Sequence, residues 1–308
     1  MNVNLIGSNG SLASSIGRYC NQQGHHLNVF GRSVPQKYHY DSFFELDLMK
    51  DSLDKKELYD ADVIIYASGA GVQSYKHDAD ENIYHLNVEI PVLLHSKLCQ
   101  NISEGGVKTL ISFGSYFEIG ENTENRSFSE NDLLLSMRRV PNAYCISKRL
   151  LSRYFSSASD KIPFLHFILP TIYGENENEN ENRLIPYLLR AIKNGEKLSF
   201  TSGEQVRQYL YVDEVPKIIE EAIDRHIPSG IYNIEGNETL SVKQLVCMLL
   251  EAHGLKPDMS IFGTVKRQDE GMKILQLDGS KLNSLIDHHC NHTILSVLGK
   301  YGNNQNRV

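Results

Sequence analysis

Cysteine is scarce in this chain, and the little there is carries no pattern. The five cysteines, Cys20, Cys99, Cys145, Cys247 and Cys290, are scattered, odd in number and free of C-x-x-C spacing. This argues against a disulfide framework and a cysteine-ligated zinc site, and fits reduced thiols in a cytoplasmic protein. The twelve histidines contain no H-E-x-x-H pattern. The adjacent pairs His25-His26 and His288-His289 would point apart on a helix, so no metal is expected. Basic charge is also short. The net charge is −7, which leaves no positive field for nucleic acid. No apolar run approaches the roughly 18 residues needed to span a membrane. The first residues lack a cationic stretch followed by a long apolar one, so no signal peptide is expected.

What is present is an ordinary globular composition, 41% hydrophobic and 22% charged over 308 residues. That is enough for a large core and one or two domains. Short β-branched and apolar runs at 3–6, 27–30, 63–66, 109–113 and 164–169 read as strands. Helical patterns at 11–22, 90–100 and 144–156 fall between them. Strands alternating with helices predict an α/β fold with a doubly wound parallel sheet, whose ligands lie at the carboxyl ends of the strands. Residues 175–182 repeat Glu-Asn without one apolar side chain. They read as a solvated loop, placed where a flap over the site could also sit. Residues 184–193 read as an amphipathic helix, and the last seventy or so residues as a smaller lobe of short strands and helices. The expected division is 1–174 as the nucleotide-binding domain, with the chain returning to it around 205–235. Segments 175–204 and 236–308 would form a substrate-binding lobe, ending in a polar tail at 301–308.

The first strand runs into Gly7-Ser8-Asn9-Gly10-Ser11-Leu12-Ala13, a G-x-x-G-x-x-A loop that opens a helix. Glycines there permit a tight turn and let backbone amides approach a pyrophosphate at the helix N-terminus. The second strand ends in Arg32-Ser33, where an NAD site usually carries an acidic residue. A guanidinium and a hydroxyl suit a 2′-phosphate, which favours NADP over NAD. Asp47, beside Leu48, could accept from the adenine amino group or cap a helix. Tyr144 and Lys148 stand four apart in a helical pattern, placing a phenol and an ammonium on one face. A nearby cation would depress the phenol pKa and allow proton transfer to a carbonyl oxygen.

Together these pieces resemble the extended short-chain dehydrogenase/reductase family of nucleotide-sugar epimerases, dehydratases and ketoreductases. Besides the glycine loop and Tyr144-x-x-x-Lys148, the likeness runs through four further segments. They are Ser112-Phe113-Gly114-Ser115-Tyr116-Phe117-Glu118-Ile119-Gly120, Leu169-Pro170-Thr171-Ile172-Tyr173-Gly174, Arg207-Gln208-Tyr209-Leu210-Tyr211-Val212-Asp213-Glu214-Val215 and Tyr232-Asn233-Ile234-Glu235-Gly236. The resemblance implies a Rossmann-type sheet with a smaller C-terminal substrate-binding lobe. It implies a catalytic trio of Ser115, Tyr144 and Lys148, with Ser112 the competing serine. Ala67, Ser68, Gly69, Asn87 and Pro170 would line the cofactor. Tyr116, Thr171, Asn182, Arg207 and Arg267 would face the substrate, the two arginines on its phosphates.

Dehydratases of the family place an Asp-Glu pair directly after the catalytic Ser/Thr, whereas this chain has Tyr116-Phe117. The expectation is therefore NADPH-dependent reduction of a keto group on a nucleotide-linked sugar, such as a 4-keto-6-deoxyhexose, with Tyr144 supplying the proton. The alternatives are an NAD-dependent 4-epimerase, a 4,6-dehydratase, a reductase of a ketone without a nucleotide, and a non-catalytic NADP-binding regulator. A cytoplasmic homodimer packing the helices at 90–100 and 144–156 is expected.

Overall fold

The computed structural model describes residues 1–71, 78–100, 109–159, 161–174, 183–266 and 271–299. The chain runs β1 (Asn2–Ile6), α1 (Ser11–Gln23), β2 (His26–Gly31), β3 (Ser42–Glu45), β4 (Val63–Tyr66) and α2 (Asp80–Tyr84). One π-helical turn, His85–Glu89, leads into α3 (Ile90–Gln100), followed by β5 (Thr109–Ser115), α4 (Glu130–Leu135), α5 (Ala143–Phe155) and β6 (Phe164–Leu169). Next come β7 (Thr171–Tyr173), α6 (Leu184–Asn194), β8 (Val206–Tyr211), α7 (Val215–Asp224) and β9 (Gly230–Asn233). The last elements are β10 (Glu238–Ser241), α8 (Val242–Ala252), β11 (Ile274–Leu275), α9 (Ser280–Asn283) and α10 (Ile294–Leu298).

The main sheet has the order β3-β2-β1-β4-β5-β6-β9, with every neighbouring pair parallel. Its strands are buried on both faces, so they read as near-continuous apolar runs. Alternation still sorts them. Val63 and Ile65 of β4 join the cluster against α1 and α7, while Ile64 and Tyr66 join the one against α3 and α5. The same alternation sends the polar Ser112 of β5 and His166 of β6 to the α5 side, where Ser152 meets them.

Pro170 separates β6 from β7, and with it the chain leaves the first sheet. Proline cannot donate to a ladder, which suits a strand that changes partners there. The second sheet is built on β8, with β10 antiparallel to it and both β7 and β11 parallel. Tyr173, Tyr209, Leu188, Leu245, Leu249 and Ile294 form its core. The expected return around 205–235 is therefore split. β8 anchors the second sheet, α7 packs on α1, and β9 completes the first. The sheet that each strand joins is set by pairing with strands far away in the chain, β10 and β11 for β8 and β6 for β9. The expected flap at 175–182 and the tail at 301–308 lie outside the described residues.

The turn after β8 ties the parts together. Asp213 pairs with Arg18 of α1 at 2.7 Å and accepts from Ser15. Glu214, 2% exposed, pairs with His288 at 2.6 Å and also with His292 and Lys217. Burial alone would raise the Glu214 carboxyl, but the hydrogen bonds to His292 and His288 hold it below its ordinary value of 4.5. A carboxylate depressed in the folded state adds stability above its unfolded pKa, and loses it as pH falls through the folded value. Glu214→Ala should therefore cost about 1–3 kcal/mol near neutral pH. Melting curves should show the gap to the wild type closing as pH drops below the ordinary carboxylate range. A gap that stays constant down to strong acid would contradict this role.

Candidate active site

The segments singled out in the sequence meet at the carboxyl ends of the main-sheet strands. Gly7 follows β1, Arg32 follows β2, Asp47 lies beyond β3, Ala67 to Gly69 follow β4, Ser115 ends β5 and Pro170 follows β6. Gly7 has φ +109° and donates its N–H to the Phe30 carbonyl at 2.8 Å. A Cβ there would lie 2.9 Å from the Ser68 hydroxyl and 3.1 Å from backbone of Ala67, so only glycine fits this crossing of β1 and β4. Gly10 caps α1 without a side-chain bond, and the first turn carries no acidic residue. The leading N–H groups, from Ser11 and Leu12 onward, are thus not occupied by a capping carboxylate.

Asn9 clasps the loop after β2. Its amide donates to Ser8 and Ser33 hydroxyls at 3.1 Å and to the Val34 carbonyl at 3.2 Å, and its oxygen accepts from Gln36 N–H. Arg32 is exposed beside this clasp. Asp47 accepts from the Met49 N–H at 3.1 Å and meets Lys50 at 3.3 Å. Those contacts, with a smaller pull from Arg32, hold its carboxyl below the ordinary range. Asp47 thus closes a turn on Met49, and no described helix begins there for it to cap. Leu48 is buried, and its carbonyl contacts His85 in the π-helical turn.

Asn87, in the same turn, is 1% exposed. It accepts from Ala70 N–H at 2.9 Å, donates to Ala70 carbonyl at 3.0 Å and donates to the Ser147 hydroxyl at 2.9 Å. The strand-end loop after β4 is thereby fastened to α5, the helix that carries Tyr144 and Lys148.

Helix α5 starts at Ala143 because Asn142 caps it, accepting from Cys145 N–H at 3.0 Å. Ser115 is 5% exposed, and it is the neighbour that favours the Tyr144 phenolate. Lys148 donates to the Phe113 carbonyl at 2.8 Å and lies 5.9 Å from the centroid of the Tyr144 ring. The expected depression of the phenol by Lys148 is not what the geometry produces. Desolvation pushes the Tyr144 phenol up, and the opposing influence is Ser115. Desolvation also brings the Lys148 ammonium down to about 8, with Glu118 acting the other way. Helical spacing alone shows neither burial nor where the ammonium is bonded.

On the substrate side, Tyr116 and Thr171 bond each other through their hydroxyls. Arg207 is only 6% exposed, and its Nη1 donates to the Val206 and Met272 carbonyls, both at 2.9 Å. This differs from the expected phosphate clamp: the β8–β11 junction needs a donor for its carbonyls, and Arg207 provides one. Asn182 and Arg267 lie outside the described residues. Sequence reading missed Tyr209, whose buried hydroxyl near Tyr116 and Arg207 has no partner among the described residues.

It also missed Glu118. Residues Tyr116–Ile119 form a single 3₁₀ turn in which Glu118 reaches back to the Ser115 N–H at 2.7 Å. The signal was available, since Ser115-x-x-Glu118 is a capping box. Ser112, the competing serine, bonds His166 at 2.8 Å on the α5 face of the sheet.

Residues 3–234 match the family described as the NAD dependent epimerase/dehydratase family, and the chain belongs to it. Among curated proteins, it is similar to CDP-abequose synthase of Salmonella muenchen. They are 22% identical over 162 residues, 51% of this chain and 50% of that protein. A 73-residue stretch is 38% identical to dTDP-glucose 4,6-dehydratase of Streptomyces griseus, covering 23% of this chain and 22% of that one. The CDP-abequose synthase match spans about half that protein's length, and the dehydratase match about a fifth. Among solved structures, UDP-glucose 4-epimerase of Thermotoga maritima with UDP-glucose superposes at a TM-score of 0.82 and 18% identity, covering 97% of this chain and 96% of that one. DesIV, a dTDP-glucose 4,6-dehydratase from Streptomyces venezuelae with NAD bound, gives 0.80 and 17%, covering 97% and 95%. At that identity the superpositions establish the Rossmann-type fold.

Asn87→Ala should remove the fastening between the β4 loop and α5. Leaving these buried groups unpaired should cost about 1–3 kcal/mol, read as a lower denaturant midpoint. An unchanged midpoint would show that the loop is held by other contacts.

Proposed function

We propose that this protein reduces a keto group on a nucleotide-linked sugar with NADPH, the substrate being a 4-keto-6-deoxyhexose. The observation that carries the reading is the pair of residues that follow Ser115. Tyr116 and Phe117 are aromatic, with ring centroids 5.0 Å apart; Phe117 has no titratable group and the Tyr116 hydroxyl is bonded to Thr171, so the two do not offer the carboxyl acid and base of an elimination pair. The nearest carboxylate, Glu118, is fully buried and committed to the Ser115 N–H. An elimination would need carboxylates where these rings stand. The CDP-abequose synthase likeness is consistent with this direction.

The residues at hand fit the cofactor. The glycine loop and the uncapped start of α1 would receive the pyrophosphate, and Arg32 with Ser33 the 2′-phosphate. NADPH supplies the hydride when bound. Ser115 would hold the carbonyl oxygen, Tyr144 would give it a proton, and Lys148 would donate to the cofactor's ribose. Exposed Leu93 of α3 with Ile146 and Leu150 of α5 supports a homodimer through these two helices, checked by light scattering in solution. Among the described residues no helix is long and apolar enough to cross a membrane.

Tyr144→Phe should lower kcat by about 10²–10⁴-fold and leave NADPH affinity, read by fluorescence titration, within a few fold. Arg32→Ala should weaken NADPH binding about tenfold or more while NADH binding hardly moves. A wild-type protein that prefers NADH, or an Arg32 variant with unchanged NADPH affinity, would remove the basis for NADP.

A further inference from the structure

At the end of α3 a thiol, an imidazole and a phenol meet, and none of the roles above uses them. His95 of α3 is 1% exposed. Its Nδ1 is hydrogen-bonded to the Tyr154 hydroxyl of α5 at 2.8 Å. Its Nε2 is in hydrogen-bond contact with the Cys99 sulfur at 3.5 Å, one helical turn further along α3. The imidazole stands edge-on to the rings of Tyr154, Phe155 and Phe164, with centroids 5.7, 5.6 and 5.6 Å away. Those three rings and the Tyr154 bond fix the plane of the imidazole.

A nucleophile within hydrogen-bond reach of a base, with the base oriented by a third group, is the arrangement that activates a thiol. Burial lowers the His95 imidazole below its ordinary value of 6.5, against the pull of the Ser159 backbone, so the ring is neutral near pH 7. A neutral imidazole can serve the sulfur in either tautomer. With Nε2 bare it takes the thiol proton, and with Nε2 protonated it donates to the sulfur as negative charge develops there. Cys99 is also part-exposed, whereas Cys20 and Cys145 are buried. Cys247 and Cys290 are part-exposed too, but burial raises both thiols, that of Cys290 to about 12. Cys99 follows Leu93 by six residues, which turns it about 120° round α3. It therefore faces away from the surface proposed for the dimer.

We propose that Cys99 is a site of oxidative modification by hydrogen peroxide, with His95 as its proton partner and Tyr154 orienting the ring. The sulfur attacks one peroxide oxygen. An S–O bond forms, the O–O bond breaks, and the thiol proton leaves with the departing hydroxide as water. The sulfur is oxidised by two electrons to a sulfenic acid, and the peroxide is reduced. The modified side chain lies where α3 meets Tyr154 of α5, the helix that also carries Tyr144 and Lys148.

The test treats the reduced protein with hydrogen peroxide in the presence of dimedone, which traps sulfenic acid, and maps the adduct by peptide mass spectrometry. Cys99 should be labelled about tenfold faster than Cys247. His95→Gln should slow the labelling of Cys99 about tenfold. Tyr154→Phe keeps the ring in the core and removes only the orienting hydroxyl, so the fold is retained and the rate should drop about threefold. Cys247 in the same samples is the internal reference, since a general loosening of the protein would raise both rates. Labelling of Cys99 no faster than that of Cys247, or an unchanged Cys99 rate in Tyr154→Phe, overturns the proposal. The readout uses neither substrate nor nucleotide, so its outcome stands apart from whether the protein is a ketoreductase.

Discussion

The seating of α5 on the end of β5 is the constraint on which the site depends. One ammonium, Lys148, is bonded to the carbonyl of Phe113 in that strand. Ser115, at the strand end, is the neighbour that favours the phenolate of Tyr144 on that helix. Neither group could be placed by its own segment. The strand fixes the serine, the helix fixes the phenol and ammonium, and only packing brings them within reach. Asn87 adds a third anchor by joining the β4 loop to Ser147 on the same helix. The proposed proton-transfer residues are held by hydrogen bonds that water does not reach, where such bonds are strongest.

The same packing sets the electrostatics. Burial makes the charged forms of Tyr144, Lys148 and Glu118 all costly, so each side chain depends on its neighbours for its charge. The proton transfer proposed for Ser115, Tyr144 and Lys148 is common to oxidation and reduction. The proposal of reduction rests on residues outside the trio, on the rings of Tyr116 and Phe117 and on the Arg32 guanidinium.

Much of this was legible in the chain. Strands 3–6, 63–66 and 164–169 stood out because both-face burial in a parallel sheet gives unbroken apolar runs. Gly7 marked the loop because its close crossing with the end of β4 demands glycine. Tyr144 and Lys148 were visible from spacing alone. What spacing could not show was environment. Arg207 bonds the Met272 carbonyl 65 residues away, a contact with no local trace, and so it read as a substrate clamp. Lys148 read as a cation beside a phenol, yet its ammonium is spent on a backbone carbonyl. Glu118 carried a local signal, the Ser-x-x-Glu capping box, but its burial depends on packing that spacing does not record. The placement of β8 in the second sheet and β9 in the first depended on long-range pairing that neither strand's own residues record.

Single-turnover transfer of deuterium is the most direct test of the central claim. NADPH labelled at its reactive C4 is mixed with a nucleotide-linked 4-keto-6-deoxyhexose, and the sugar product is analysed by mass spectrometry. The account predicts one deuterium on the sugar carbon that carried the ketone, with one NADP released for each product formed. A product formed without label from added NADPH, or a sugar returned as its epimer with no net oxidation of NADPH, would contradict it.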